Sequence, residues 1–382
     1  MHSVNISDEV IELETKLIEH KSFFNSNPEI GFEEYKTSQY IARRLTQLGY
    51  EVKSEVAKTG IIAILRGESE HPCIMFRADM DAVAMKNGDK ITAKHTCGHD
   101  AHMACLLTFA ELLVKNRKKI KGTVKLVFQP GEEGYGGAKI MIEEGVLNYP
   151  EVDKCFALHM WSELPYLHTC IKDGPLMASG DEFEIEIYGK QGHAALPERC
   201  VDPVYIASTI VVALQSIVSR NIPPDETAVI SVTSIIAANS YNVIGDKAVL
   251  KGTVRTYNNQ IREYIAERMK KIAESIAEGL GGKATVQYRY KHSALINTKE
   301  EADVVRKIAE EVLALDYIIT NYKTMCTEDF SHFLEKVSGA FVLIGCCKNK
   351  DITQHNENFY VEKDAILLAT ELLCRIAKVY LW

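Results

Sequence analysis

Short, nearly continuous apolar runs alternate with longer stretches of helical period along the first part of this chain. Residues 61–65, 73–77, 123–129 and 155–159 are apolar runs of strand length. Strands without a polar side belong in a sheet covered on both faces. Residues 8–25, 35–48, 101–115 and the segment from Ala138 onward have apolar positions at helical spacing, and Gly49 stands where a helix ends. Asp79 and Asp81, Glu132 and Glu133, and His159 each fall at or just after a strand. That layout predicts a mixed, mostly parallel α/β sheet with its site along one edge.

The pattern changes near Gly174-Pro175. Residues 181–189 alternate, with Phe183, Ile185 and Ile187 facing inward. A helix (203–219), two strands (227–236 and 246–256), a charged amphipathic helix (258–279) and a strand (283–291) follow. Strand–helix–strand–strand–helix–strand is the split βαβ, ferredoxin-like order. Helix 301–314, strand 341–345 and helix 362–380 then restore the first pattern. The expected organisation is a discontinuous catalytic domain, 1–177 and 293–382, interrupted by an inserted α+β domain, 178–292.

At 382 residues, 25% charged and 46% hydrophobic, the composition is that of a globular chain with room for two cores. A formal charge of −8 argues against non-specific nucleic-acid binding. The acidic N-terminal segment lacks the basic start of a signal peptide, and no run of about 18 apolar residues is read, so no membrane span is expected. The 10 cysteines are scattered without a disulfide framework, which points to free thiols in a reducing cytoplasm.

The chemistry concentrates in His95-Thr96-Cys97-Gly98-His99-Asp100-Ala101-His102. On extended backbone His95, Cys97 and His99 would share one face, with Asp100 at the start of the following helix, where a carboxylate can accept free N–H groups. Thiolate and imidazole together suit a borderline-soft divalent metal. Glu132-Glu133 in a Gly-rich turn are awkward neighbours unless a cation is near, and two glutamates would repel a phosphate. His159 and His355 are weak signals singly. Cys97, His99, Glu133, His159 and His355 are more donors than one site needs and too few for two closed ones, so an open site is expected.

These residues sit in a longer collinear series. It includes Asn27-Pro28-Glu29-Ile30-Gly31-Phe32-Glu33-Glu34, Arg77-Ala78-Asp79-Met80-Asp81-Ala82, Cys97-Gly98-His99-Asp100-Ala101-His102 and Phe128-Gln129-Pro130-Gly131-Glu132-Glu133-Gly134. Gly192-His193-Ala194-Ala195, Asn242-Val243-Ile244, Gly252-Thr253-Val254-Arg255-Thr256, Glu328-Asp329-Phe330 and His355 continue it. The series resembles the amidohydrolase branch of the two-metal aminoacylase and carboxypeptidase-type metallopeptidases, over essentially the whole chain. The resemblance implies that Cys97, His99, Glu133, His159 and His355 bind two divalent metals, Zn²⁺ or Mn²⁺ with Co²⁺ a further option. It implies Glu132 as general base, Asp81 as a supporting residue, and His193 and Asn242 as substrate contacts. It implies that the insert is a lid or dimerisation domain, hence a homodimer. Departures occur at Asn25 and Asn27, where the family has histidines, at Ala84, Glu198 and Gly245, and in a shortened segment between Asp81 and Cys97. They spare the ligands and fall where substrate is expected to be shaped.

The expected activity is hydrolysis of the amide bond of N-acyl amino acids or related small amides. The alternatives are a peptidase acting on short peptides, thiol catalysis by Cys97 with His99 or His102 as base, and a metal-dependent binding protein without turnover.

Overall fold

The computed structural model describes residues 4–87, 90–238 and 240–382. They form two compact units. One comprises Met1–Gly174, Ile296–Tyr322 and Asp329–Trp382; the other comprises Pro175–Leu295 with Lys323–Glu328.

The first unit is built on an eight-stranded sheet. Its order is Glu51–Val56, Gly60–Arg66, Thr123–Gln129, Cys73–Asp79, Lys154–Trp161, Gly339–Gly345, Thr169–Cys170, Ile318–Ile319. The four central strands, Thr123–Gln129 through Gly339–Gly345, are parallel, and every residue of Cys73–Asp79, Thr123–Gln129 and Gly339–Gly345 is buried. The first two strands are antiparallel to each other, and Gly60–Arg66 pairs antiparallel with Thr123–Gln129. Because the central strands run one way, Asp79, Gln129, Trp161 and Gly345 end at the same edge of the sheet.

The helix His99–Lys115 packs on Cys73–Asp79 and against the helices Glu14–Ser26 and Lys363–Leu381. It is buried on all sides through Leu113, which is why its apolar residues do not confine themselves to one stripe. Two local expectations change. The N-terminal helix breaks at Glu12-Leu13 into Asp8–Ile11 and Glu14–Ser26. The segment after Asp81 forms a hairpin, Val83–Asn87 with Lys90–Lys94, whose turn lies outside the described residues.

The second unit has a four-stranded antiparallel sheet, ordered Ala228–Ile236, Lys247–Thr256, Gly180–Tyr188, Lys283–His292. Phe183, Ile185 and Ile187 face inward and pack with Ile206, Ile210, Leu250, Ile265 and Met269. Its helix Pro203–Ser216 starts with proline at its first position, and the Asp202 carboxylate accepts from the N–H of Val204 and Tyr205. Pro203–Asn221 is long and apolar enough to cross a membrane by length and composition alone. Here Ile206, Ala207, Ile210, Leu214 and Ile217 are core residues of this unit.

Candidate metal centre

The site residues of the first unit gather at the sheet edge just described. Gly98 has φ +94° and opens the helix at His99. A Cβ there would also come within 3.1 Å of Met160 Cβ, so the backbone conformation favours glycine and the close approach adds to that preference. This turn ends the extended backbone at Cys97, and the shared face expected for His95, Cys97 and His99 does not form. His95 is buried, and neither ring nitrogen has a hydrogen-bond partner. Burial pushes its pKa down to about 4 against the pull of Asp100. Asp100 caps no N–H group; it accepts from Asn25 Nδ2 at 2.9 Å and pairs with Lys21 at 3.2 Å. Asn25, one of the departures expected to shape substrate, is therefore an internal support of this helix.

Hydrogen bonds set the state of each imidazole. His99 Nδ1–H donates to the Asp81 carbonyl at 2.8 Å, leaving Nε2 buried without a hydrogen-bond partner. His159 Nδ1–H donates to the Met160 carbonyl at 2.8 Å, and its Nε2 lies 3.7 Å from Cys97 Sγ. His102 Nε2 accepts the Met160 N–H at 2.8 Å while Nδ1–H donates to Asp79 Oδ1 at 2.6 Å. Both nitrogens of His102 are thus engaged, whereas the Nε2 of His99 has no hydrogen-bond partner and that of His159 meets the Cys97 thiol. Fixing the tautomer through the far nitrogen is how proteins prepare an imidazole ligand.

The donor atoms of Cys97, Glu133 and His355 lie within 4.8 Å of one another, as do those of His99, Glu132 and Glu133. Glu133 Oε1 stands 3.2 Å from His355 Nε2 and 3.9 Å from His99 Nε2. His355 has φ +64°, and its N–H donates to the Thr96 carbonyl at 2.8 Å, tying the far end of the chain to the segment before Cys97. All five residues expected as ligands therefore come together.

The charges around them favour a cation. Burial opposes a proton on His99, yet Asp79, Asp81 and Glu133 outweigh it and lift its pKa to about 10. Burial, with Glu133 and Glu132 nearby, pushes the Cys97 thiol well above its ordinary range. An unpartnered buried Nε2, a confined thiol and converging carboxylates form a donor set that fits divalent metal. The thiol-nucleophile alternative lacks a base in His102, whose nitrogens are both occupied.

The Asp81 carboxylate, 3.6 Å from His99 Nδ1, is taken up by the glutamate turn. Its Oδ1 accepts the Glu132 N–H at 3.0 Å and its Oδ2 the Glu133 N–H at 2.9 Å. One residue thus supports His99 through its carbonyl and the glutamate turn through its side chain.

A buried ion network lies behind the centre, and its residues carried no separate assignment in the sequence. Arg77 donates through Nε to Gln129 Oε1 (2.8 Å), through Nη1 to Asp79 Oδ2 (2.8 Å) and through Nη2 to Asp329 Oδ1 (3.1 Å). Gln129 Nε2 and the Ala138 N–H also donate to Asp329. The signals available were the period-two spacing of Arg77, Asp79 and Asp81 and the one-turn spacing of His99 and His102.

His193 and Asn242 lie in the second unit. Gly192–His193 pairs antiparallel with Val243–Ile244, and the Ala194 N–H donates to the Asn242 carbonyl at 3.0 Å. His193 Nδ1 accepts the Ala195 N–H at 3.1 Å, so the proton sits on the exposed Nε2. Ser240 Oγ donates to Asn242 Oδ1 at 3.0 Å, which leaves the amide NH₂ facing solvent as a donor.

Comparison with known proteins agrees with this geometry. The chain is 36% identical over 373 residues to an N-acetyl-L-cysteine deacetylase of Bacillus subtilis, covering 96% of this chain and 88% of that protein. It is 33% identical to a hippurate hydrolase of Campylobacter jejuni, covering 99% of this chain and 100% of that protein. It superposes on the crystal structure of a dinuclear metal-binding peptidase of the M20 family from Bacillus subtilis with a TM-score of 0.83, at 31% identity, covering 98% and 99% of the two chains. The resemblance drawn from the motifs is thereby upheld. With the profile of peptidase family M20/M25/M40 matching residues 75–379, the chain belongs to that family.

Proposed function

We propose that this protein is a metal-dependent amidohydrolase that cleaves N-acyl amino acids, with water, to a carboxylic acid and a free amino acid. The single observation that carries the reading is the convergence of Cys97, His99, Glu133, His159 and His355 beside Glu132, with the His99 Nε2 buried and unpartnered and the His159 Nε2 against the Cys97 thiol. Those five residues hold two divalent ions, zinc or manganese, with cobalt able to substitute. Bound there, such ions polarise the scissile carbonyl and lower the pKa of water from about 16 toward about 7.

Glu132 accepts the proton of the attacking water and passes it to the leaving nitrogen, a transfer worth ~10²–10⁴-fold. Asp81 holds the turn that carries Glu132 and Glu133. His193 Nε2–H and the Asn242 amide are donors suited to the substrate's carboxylate or to a developing oxyanion.

The insert also serves as a dimerisation domain in this reading. Val229, Ile235 and Ile236 are exposed on its edge strand, and Tyr205 and Val212 are exposed on the helix Pro203–Ser216. An apolar edge strand beside an apolar helix face is a surface that stays soluble only when covered. The ten cysteines are all free, eight of them buried, in keeping with a reducing cytoplasm.

The test is metal analysis of the purified protein together with a panel of N-acyl amino acids, N-acetylated and N-benzoylated, and unblocked dipeptides. Turnover of the N-acyl compounds with metal present is expected. Turnover confined to dipeptides would replace this reading with a peptidase, and metal binding without turnover would leave a binding protein.

A further inference from the structure

The Glu132-Glu133 turn is held by more than Asp81. The N–H of the preceding residue, Gly131, donates to Glu34 Oε1 at 3.0 Å. Three consecutive amides, at 131, 132 and 133, thus each end on a carboxylate oxygen, one from Glu34 and two from Asp81. Gly131 has φ +61°, and a Cβ there would meet Phe32 and Tyr135 at 3.1 Å. The turn is therefore both conformationally unusual and tightly enclosed.

Glu34 is placed for this and for little else. It precedes the helix Tyr35–Gln47, where a carboxylate would ordinarily cap the N–H groups, yet its side chain makes no cap. Glu29 does that instead, accepting from the N–H of Lys36 at 3.1 Å and of Thr37 at 2.9 Å. Glu34 is fully buried, and its other oxygen accepts the hydroxyl of buried Thr59 at 2.5 Å. Burial, opposed by the Thr59 hydrogen bond and reinforced by Asp81, raises its pKa to about 7. Keeping a carboxyl in such surroundings costs stability unless its hydrogen bonds are used.

We propose that Glu34 is a positioning residue for catalysis: by anchoring Gly131 it fixes the direction in which the turn presents Glu132. The inference rests on Glu132 as the base. An anchor on one amide of a three-residue turn acts on the orientation of the base, so its loss falls on kcat rather than on substrate or metal binding.

The experiment compares Glu34→Ala, Glu34→Asp and Glu34→Gln with wild type and with Glu132→Gln in the metal-loaded enzyme, on the N-acyl amino acid the wild type cleaves fastest. Metal per chain is measured for each, and amide hydrogen exchange across 129–137 is followed in the metal-free proteins. Glutamine can still accept from Gly131 while Thr59 turns to accept from its NH₂; aspartate keeps the charge but falls one methylene short. The expected result is a kcat loss of ~10–100-fold for Ala and Asp, KM within about twofold, unchanged metal content, faster exchange at the turn, and near-wild-type behaviour of Gln. Should Ala fail to fold, the contrast between Asp and Gln decides. Wild-type kcat in Asp or Ala, or a Gln variant as impaired as they are, overturns the proposal, as does a kcat loss that follows metal loss. An active Glu132→Gln enzyme would instead fault the base assignment, whereas a wild-type-like Glu34→Ala beside an inactive Glu132→Gln faults this inference alone.

Discussion

Glu133 Oε1 lies 3.2 Å from His355 Nε2, joining a turn after a central strand to a loop near the end of the chain. His355 is not distinctive in its own stretch of sequence, whereas Glu133 stands beside Glu132 in a Gly-rich turn. Their contact closes the donor set around Cys97, and the first predictions concern that set.

Cys97 should act as a ligand rather than as a nucleophile. A buried thiol among carboxylates ionises only when a cation takes the proton's place. Chelation is expected to abolish activity, and Zn²⁺, Mn²⁺ or Co²⁺ to restore it. Iodoacetamide should label Cys97 slowly in either form, because metal occupies the sulfur in one and the thiol stays protonated and buried in the other. Inactivation of the metal-loaded enzyme with Cys97 labelled, and indifference to chelation, would transfer the chemistry to the thiol.

Glu132 and Glu133 should separate cleanly. Glu132→Gln is expected to lower kcat by at least ~100-fold with metal content intact. Glu133→Gln is expected to lower metal occupancy, because its carboxylate faces His99 and His355. Metal analysis of both variants checks the assignment, and the reverse pattern means the two roles are exchanged.

Arg77 should be a stability residue whose loss is felt at the centre. Its side chain is fully buried with those of Asp79 and Asp329, so Arg77→Met leaves Asp329 without this cation and Asp79 with its histidine partners alone. Breaking a buried network in this way costs about 3–5 kcal/mol. Equilibrium urea denaturation of the metal-free protein measures it, and a change under 1 kcal/mol would be at odds with the network described.

Glu111 gives a pH signature away from the site. Burial raises its pKa, but His20 and Lys16 more than offset this and hold it down to about 2, with Arg44 also paired to it. A depressed carboxylate pKa stabilises above the unfolded value of about 4.3 and ceases to do so as pH falls through the folded value. The stability gap between wild type and Glu111→Gln is therefore expected to be constant from pH 7 to pH 5 and to shrink below about 4. Urea titrations across that range would expose a gap that instead grows on acidification.

His193 should matter to turnover and not to metal. His193→Ala is expected to lower kcat by ~10²-fold, as for loss of one oxyanion donor, with metal content unchanged. Mixing it with Glu132→Gln tests whether one subunit serves another, since recovered activity in mixed dimers requires action in trans. Unchanged kcat and KM would remove His193 from the mechanism.

Much of this molecule follows from the sequence by itself. Buried parallel strands must be apolar on both faces, so residues 61–65, 73–77, 123–129 and 155–159 announce a covered sheet, and carboxylates and histidines at strand ends mark its edge. The antiparallel strand Gly180–Tyr188 was equally visible, because half-buried antiparallel strands alternate. What the sequence could not decide was the state and direction of each side chain. His95, Cys97, His99 and His102 look equivalent in a string. Only the turn at Gly98, with φ +94°, starts the helix that carries His99 and His102, and only the Met160 amide and Asp79 occupy both nitrogens of His102. Glu34 and Asp81 likewise meet the same turn from separate segments. Periodicity reports burial, a property each residue carries locally. Hydrogen bonds between remote segments depend on register and rotamer, which exist only once the chain has folded.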